Sequence, residues 1–241
     1  MTRWKAAGTH LALSFVVIGG IALAAFLLWY PYDIYKVAGL DRILLVMLGI
    51  DLTAGPLLTL IAFNPKKPGL KRDLAIIALC QLAFLGYGLH TLWGGRPVFL
   101  VGTPETFTVV FANEVAESDL PGAPRPEWRR LSWTGPQLVA TRMPDDPKLR
   151  RAVIEEFMAG GAGLERTPKY YKEYGELADT LLKSARPLPI GDEVTDADIS
   201  ATGRSRETLR WLPIVSRRGS GTMLIDAASG QPLHTIAEEL D

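Results

Sequence analysis

Residues Leu11–Tyr30 read LALSFVVIGGIALAAFLLWY, twenty consecutive positions without a charged side chain. Twenty apolar residues in helical form match the hydrocarbon thickness of a bilayer. Trp29, Tyr30, Tyr32 and Tyr35 follow, the aromatic residues expected where a span meets the headgroup layer. Arg3 and Lys5 before the run, and Ala22-Leu23-Ala24 inside it, have the look of a cleavable signal peptide. The run continues through Phe26, Leu27 and Leu28, which favours an uncleaved anchor.

Two further runs lie downstream. Ile43 to about Phe63 holds one charge, Asp51, and Leu74 to Trp93 holds none. Between them, Asn64-Pro65-Lys66-Lys67-Pro68-Gly69-Leu70-Lys71-Arg72 reads as a tight turn with four positive charges. Arg3 and Lys5 bring one side to six, against Lys36, Arg42 and Arg96 on the other. The richer side stays in the cytoplasm. The chain therefore reads as a membrane α-helical protein with three transmembrane helices (11–30, 43–63 and 74–93), its N-terminus cytoplasmic. A small α+β extracytoplasmic domain follows at 97–241; the charge rule gives only its side, and a bacterial inner membrane with this domain in the periplasm is assumed.

Composition agrees with two unlike parts. Residues 1–96 carry 9 Lys+Arg and 4 Asp+Glu, a net of +5, and the remainder carries 17 and 22, a net of −5. The overall charge of zero is a cancellation, and without a basic block there is no argument for nucleic acid. Cys80 is the single cysteine, so no disulfide forms within the chain and no cysteine-based metal site is expected. It reads as a small packing residue.

Asp51 is the most informative position. A carboxylate at mid-bilayer is expensive and is by default a functional group whose partner must be named; it reads either as buried glue within the bundle or as part of a groove that engages a transmembrane partner. Asp51, Gly55 and Thr59 stand four apart and form one small, polar stripe that should face protein. Pro56 is expected to kink the helix beside it. Counting from the cytoplasmic ends at 1.5 Å per residue places Asp51 about 18 Å deep, Tyr87 about 20 Å, Gly55 about 12 Å and Gln81 about 10 Å. Depth alone pairs Asp51 with Tyr87, and Gln81 with the helix at Gly55. His90 stands without histidine, cysteine or carboxylate neighbours in sequence and reads as interfacial.

The remainder reads as mixed structure. Strands are expected at 96–101, 106–111 and 137–142, with a long loop at 117–136 holding Trp128 and Trp133. Helices are expected from Pro147 to Met158 and from Pro168 to Ser184. Tyr170, Tyr171, Tyr174, Leu177, Leu181 and Leu182 recur at mostly helical spacing, as core or as a tyrosine-rich contact face. Pro213 places the strand at 209–216 at an edge or a bulge. Residues 222–225 and 233–236 form a hairpin around Asp226–Gly230.

No chemistry stands out. Gly160-Gly161-Ala162-Gly163 lacks the Lys-Ser/Thr of a phosphate loop, and Ser220 lacks nucleophile-elbow spacing. His234 has no nucleophile beside it, and Asp196 and Asp198 read as a solvated cap. No enzyme, cofactor or metal is expected.

The run Gly49-Ile50-Asp51-Leu52-Thr53-Ala54-Gly55-Pro56-Leu57-Leu58-Thr59-Leu60-Ile61-Ala62-Phe63-Asn64-Pro65-Lys66-Lys67 resembles the TfpX/TfpZ family of type IV pilin accessory proteins. Asp73 to Leu82, Tyr87-Gly88, Arg96-Pro97-Val98 and the Trp-Tyr-Pro-Tyr segment at 29–32 resemble it too. Leu212-Pro213 and the Asp226–Gly230 hairpin are similar to the family's C-terminal region. The resemblance implies an inner-membrane protein that assists a pilin before or during fibre assembly, without catalytic residues. Its partners would be a type IV pilin subunit and membrane lipid. The motif positions it carries over are Asp51, Gly55, Pro56, Asn64, Pro65, Lys66, Gln81 and Arg96. The competing reading is a membrane-anchored ligand-binding or sensor module, against which stands the lack of any cytoplasmic output domain.

Overall fold

The computed structural model describes residues 2–188 and 194–238. Three long helices come first: α1 (Arg3–Trp29), then past the four-residue α2 (Tyr35–Ala38), α3 (Leu40–Ala62) and α4 (Leu70–Gly94). They hold 27, 23 and 25 residues, and each is long and apolar enough to cross a membrane. α1 begins eight residues before the uncharged run, because absence of charge marks apolar surface while hydrogen bonding continues through Arg3 and Lys5.

Most apolar side chains of these helices are exposed, among them Val16, Leu23, Leu45, Ile61 and Leu79. The inward residues of α3 are chosen differently. Met47, Asp51, Gly55 and Thr59 are buried and lie on one line, since every fourth residue returns to the same face. Opposite Met47 stands Gly88 of α4, where a Cβ would come within 2.9 Å of the Met47 methyl. α3 continues as helix through Pro56 to Ala62.

The chain divides into two compact units. One holds the three helices up to Leu27 and from Leu40 to Gly94. The other takes Gly95 onward together with Leu28–Gly39, a strap that contains α2.

The second unit is built on β1 (Pro97–Gly102), β2 (Phe107–Phe111), β3 (Gln137–Ala140), α5 (Pro147–Met158), β4 (Lys172–Glu173), α6 (Gly175–Ser184), β5 (Arg186–Pro187), α7 (Asp196–Ala201), β6 (Leu209–Val215), β7 (Ser220–Asp226) and β8 (Pro232–Ala237). The sheet order is β4-β3-β1-β2-β6-β7-β8, with β5 on β6. β1 pairs antiparallel with β2 and parallel with β3, and β2 pairs parallel with β6. β1 and β2 are buried at every position, which is why they read as continuous apolar runs. The outer strand β8 packs against the strap, and Gly221 of β7 leaves no room for a Cβ beside the Ile236 carbonyl and Val37.

Two expectations need correction. The helix expected from Pro168 begins only at Gly175. Pro168–Tyr170 forms a single 3-10 turn and Lys172–Glu173 joins the sheet edge against β3. Tyr171 and Tyr174 are buried and are core, while Tyr170 stays half-buried with its hydroxyl donating to Glu156 (3.2 Å). Pro213 lies inside the sheet and not at its edge. On one side β6 has two partial partners, β5 at Arg210–Trp211 and β2 at Ile214–Val215. Pro213 falls in the gap between them, where the register calls for no amide hydrogen, and the Thr106 hydroxyl donates to its carbonyl (2.9 Å).

Candidate functional site

The helix unit gathers its polar side chains on its inner face. Asp51 is 5% exposed and Thr59 4%. The Gln81 carboxamide, oriented by its hydrogen-bonding partners, donates from its nitrogen to Asp51 Oδ1 (3.0 Å) and accepts from the Gly55 amide at its oxygen (3.1 Å). Gly55 makes this possible, because a Cβ there would sit 2.5 Å from the Gln81 side-chain oxygen in this orientation. One turn nearer the helix end, His10 Nδ1 lies 2.7 Å from the Thr59 hydroxyl. Three helices thus contribute to one polar seam: His10 from α1, Asp51, Gly55 and Thr59 from α3, and Gln81 from α4. Gly55→Ala should drive the Gln81 amide from both partners and lower stability in detergent by about 1–2 kcal/mol, the scale of an interhelical hydrogen bond. A melting temperature equal to that of the parent chain would count against this packing.

The pairing of Asp51 with Tyr87 is corrected. Tyr87 is 74% exposed, and among the described residues it makes no hydrogen bond to Asp51. Six residues at 100° each carry Tyr87 about 240° around α4 from Gln81, onto another face. Gln81 serves both Asp51 and Gly55. His10 is the residue sequence reading passed over, lying one position before the uncharged run. Depth counting would have found it, since Thr59 is about 4.5 Å from the end of α3 and His10 is at the start of α1's apolar stretch.

Of the remaining motif positions, Arg96 is buried just before β1 and donates from Nε to the Ser132 carbonyl (3.0 Å), while Asn64, Pro65 and Lys66 form the turn between α3 and α4. Asn64 Oδ1 accepts from the Lys66 amide (3.1 Å), and the Asn64 carbonyl accepts from the Lys67 amide (3.0 Å). The Lys67 ammonium pairs with Asp73 at the start of α4. Pro65 sits within this turn, and Lys66 is exposed. Their observed work is to close a helical hairpin.

Beside the seam runs a groove of about 540 Å³ between α1, α3 and α4. Leu13, Ile18, Leu82 and Leu85 line its sides, and His10, Asp51, Thr59 and Gln81 are among its polar members. A smaller hollow of about 370 Å³ between α3 and α4 also touches Asp51, with Tyr87 on its wall.

The second unit holds another polar centre, and sequence reading missed it. His234 of β8 is 5% exposed. Its Nδ1 lies 2.6 Å from Asp33 of the strap and its Nε2 3.1 Å from Asp198 of α7. Lys36 Nζ is 3.3 Å from the same Nε2. Asp198 also takes the Thr195 hydroxyl and amide. Burial works to raise the Asp198 carboxyl, but the Thr195 and His234 hydrogen bonds outweigh it and hold it below the usual carboxylate range. The strap is fastened again further along. Ser216 Oγ donates to the Val37 carbonyl (2.6 Å) and Arg218 to the Ala38 and Gly95 carbonyls (3.1 and 3.3 Å). Trp29 donates from its indole to the Trp133 carbonyl (2.8 Å).

Three long apolar helices with an inward polar seam, followed by a mixed-sheet unit, define the class of protein. Among the described residues no group of histidine, cysteine and carboxylate side chains has the geometry of a metal site. The chain belongs to the fimbrial assembly protein family. It is 30% identical over 232 residues to the fimbrial assembly protein of serogroup E1 from Dichelobacter nodosus, covering 92% of this chain and 89% of the relative. The serogroup I protein of that organism is 28% identical over the same shares. The protein of serogroups C1 and C2 is 33% identical over 122 residues, 49% of this chain and 92% of the relative. A family model described as fimbrial assembly protein FimB matches residues 1–39. No solved structure matches the chain.

Proposed function

We propose that this protein is an inner-membrane accessory factor for a type IV pilin, which it holds and delivers for fibre assembly, as the TfpX/TfpZ resemblance implies. Residues 1–96 span the membrane with the N-terminus in the cytoplasm, and residues 97–241 form a periplasmic domain. Three helices apolar on nearly their whole circumference are at odds with water and suit lipid. The six-to-three charge asymmetry of the flanking segments gives the direction. Family membership supports the link to fimbriae. The observation that carries the reading is the seam: Asp51, Thr59, His10 and Gln81 lie along a groove open between the helices. An apolar groove with a few convergent polar groups suits a helix that must be kept in the membrane without aggregating. No catalytic step is assigned to any residue.

The test is removal of the gene with measurement of its cognate pilin. Loss of this protein should reduce pilin abundance or surface fibres and leave unrelated inner-membrane functions unchanged. Full complementation should follow from the intact gene in trans. Unchanged pilin and unchanged fibres in the deletion strain would reject the reading.

A further inference from the structure

The groove has a shape and a chemistry that narrow its occupant. On α1 its lining runs from Ala6 to Ile18, and on α4 from Leu74 to Leu85. At 1.5 Å per residue these walls are about 16–18 Å long, or three helical turns. Small side chains recur along them, with Ala6, Thr9 and Ser14 on α1 and Ala78 on α4, and small residues let another helix approach closely. That stripe says only that a helix fits.

Asp51 says what the helix must bring. The side chain is more than nine-tenths buried and borders the groove. Gln81 supplies one donor, to Oδ1. Among the described residues no donor reaches Oδ2. A carboxylate accepts about four hydrogen bonds, and one left short in hydrocarbon is costly. An acyl chain filling the groove would leave Oδ2 unmet. A helix backbone offers nothing, since its interior amides are already bonded.

We infer that the groove takes a single apolar helix of the pilin subunit that presents one protic side chain, a hydroxyl or an ammonium, to Asp51. This rests on the function proposed above and adds the recognition chemistry. Apolar length provides membership of the membrane, and the donor at the right depth provides register. His10 and Thr59 mark the end of the groove about two turns away along α3, and being paired with each other they leave the central position to Asp51.

The test uses the full chain in native membranes with its pilin. A photoreactive residue is placed at Leu13 or Leu82 in the groove, at Val46 on the smaller hollow, and at Leu45 or Ile61 on outward faces. Pilin adducts should form from Leu13 and Leu82 and be weak elsewhere. Asp51→Asn should lower the groove adduct about five- to tenfold, the size of one interhelical hydrogen bond. Replacing the matching donor on the pilin helix by leucine should cause the same loss, with no additional loss in the double variant. Ala78→Leu, which fills the groove and leaves Asp51 and Gln81 untouched, should also abolish the adduct. Equal yields from Asp51→Asn and the parent chain overturn the inference. So do adducts confined to Val46, adducts with a second copy of this chain, or lipid adducts alone. In any of these cases a strain lacking the gene that still loses pilin leaves the proposed function standing, so the two failures are distinguishable.

Discussion

Replacing Tyr171 by alanine should lower the stability of the sheet unit by about 3–5 kcal/mol, the range for emptying a buried aromatic site. Tyr171 is 2% exposed, and its ring meets Phe99 edge-on at 5.0 Å and Trp128 at 6.4 Å. Val98, Val101, Val110 and Val139 from three adjacent strands complete the cluster. These strands are pinned in the sheet and cannot collapse into the void, which places the loss at the upper end. The hydroxyl donates to the Glu165 carbonyl, and burial pushes the phenol well above its usual range, so it stays a neutral donor. Tyr171→Phe keeps the ring and strands one carbonyl, an effect of about 1 kcal/mol. Denaturant melts of the full chain in detergent, read by tryptophan fluorescence, measure both. A domain holds only about 5–15 kcal/mol in total, so the alanine variant should be partly unfolded near its growth temperature. A loss under about 1 kcal/mol for Tyr171→Ala, well below that range, would mean that the segment before α6 does not anchor the core.

Tyr171 also shows where sequence reading stopped. The helices are legible because a bilayer-length run without charge suits a membrane span and little else, and the helix unit follows from that. The hairpin around Asp226 is legible because its turn is local: Asp226 Oδ1 accepts from the Ala228 and Ser229 amides, and Gly230 supplies the positive φ of 71°. The sheet order is not legible. β3 and β6 each pair parallel to a strand far off in sequence, and β4 and β5 have two residues each, too few to show a period. Spacing from Tyr170 to Leu182 matches a helix because Leu177 and Leu181 are in one. Tyr171 and Tyr174 reach the core from before the helix begins, which period counting cannot distinguish.

In the candidate site, depth was legible and rotation was not. Rise per residue brings α4 to the level of Gly55 and Asp51, but only packing decides which face of α4 looks inward. Gln81 therefore takes the place that depth alone gave to Tyr87. His234 was invisible for a different reason. Asp33 and Asp198 are remote from it in sequence, and neither carries a motif that points to a histidine.

That same distance makes His234 the position whose loss should travel furthest. His234→Ala removes a group that joins strap, α7 and β8, and leaves two carboxylates and Lys36 to rearrange. The side chains of His234 and Asp198 are 6% and 17% exposed and that of Asp33 is 37% exposed. Leaving a buried hydrogen-bonding partner unsatisfied costs about 1–3 kcal/mol, and with Asp33 and Asp198 both losing the ring the loss should be about 2–3 kcal/mol. Hydrogen exchange in the strap peptides spanning 30–39 should then speed up roughly 30- to 150-fold, at a factor of ten per 1.4 kcal/mol. Acid should loosen the strap as well. The Asp198 carboxyl is held below its usual value in the fold, so its contribution is present above the ordinary carboxylate range. It is lost as pH falls through the lowered folded value, below about pH 4. Asp198→Asn should remove that acid sensitivity while keeping a polar contact to the ring. Strap exchange in His234→Ala that stays within about threefold of the parent chain, far short of the tenfold that 1.4 kcal/mol gives, would show that Ser216 and Arg218 hold the strap on their own.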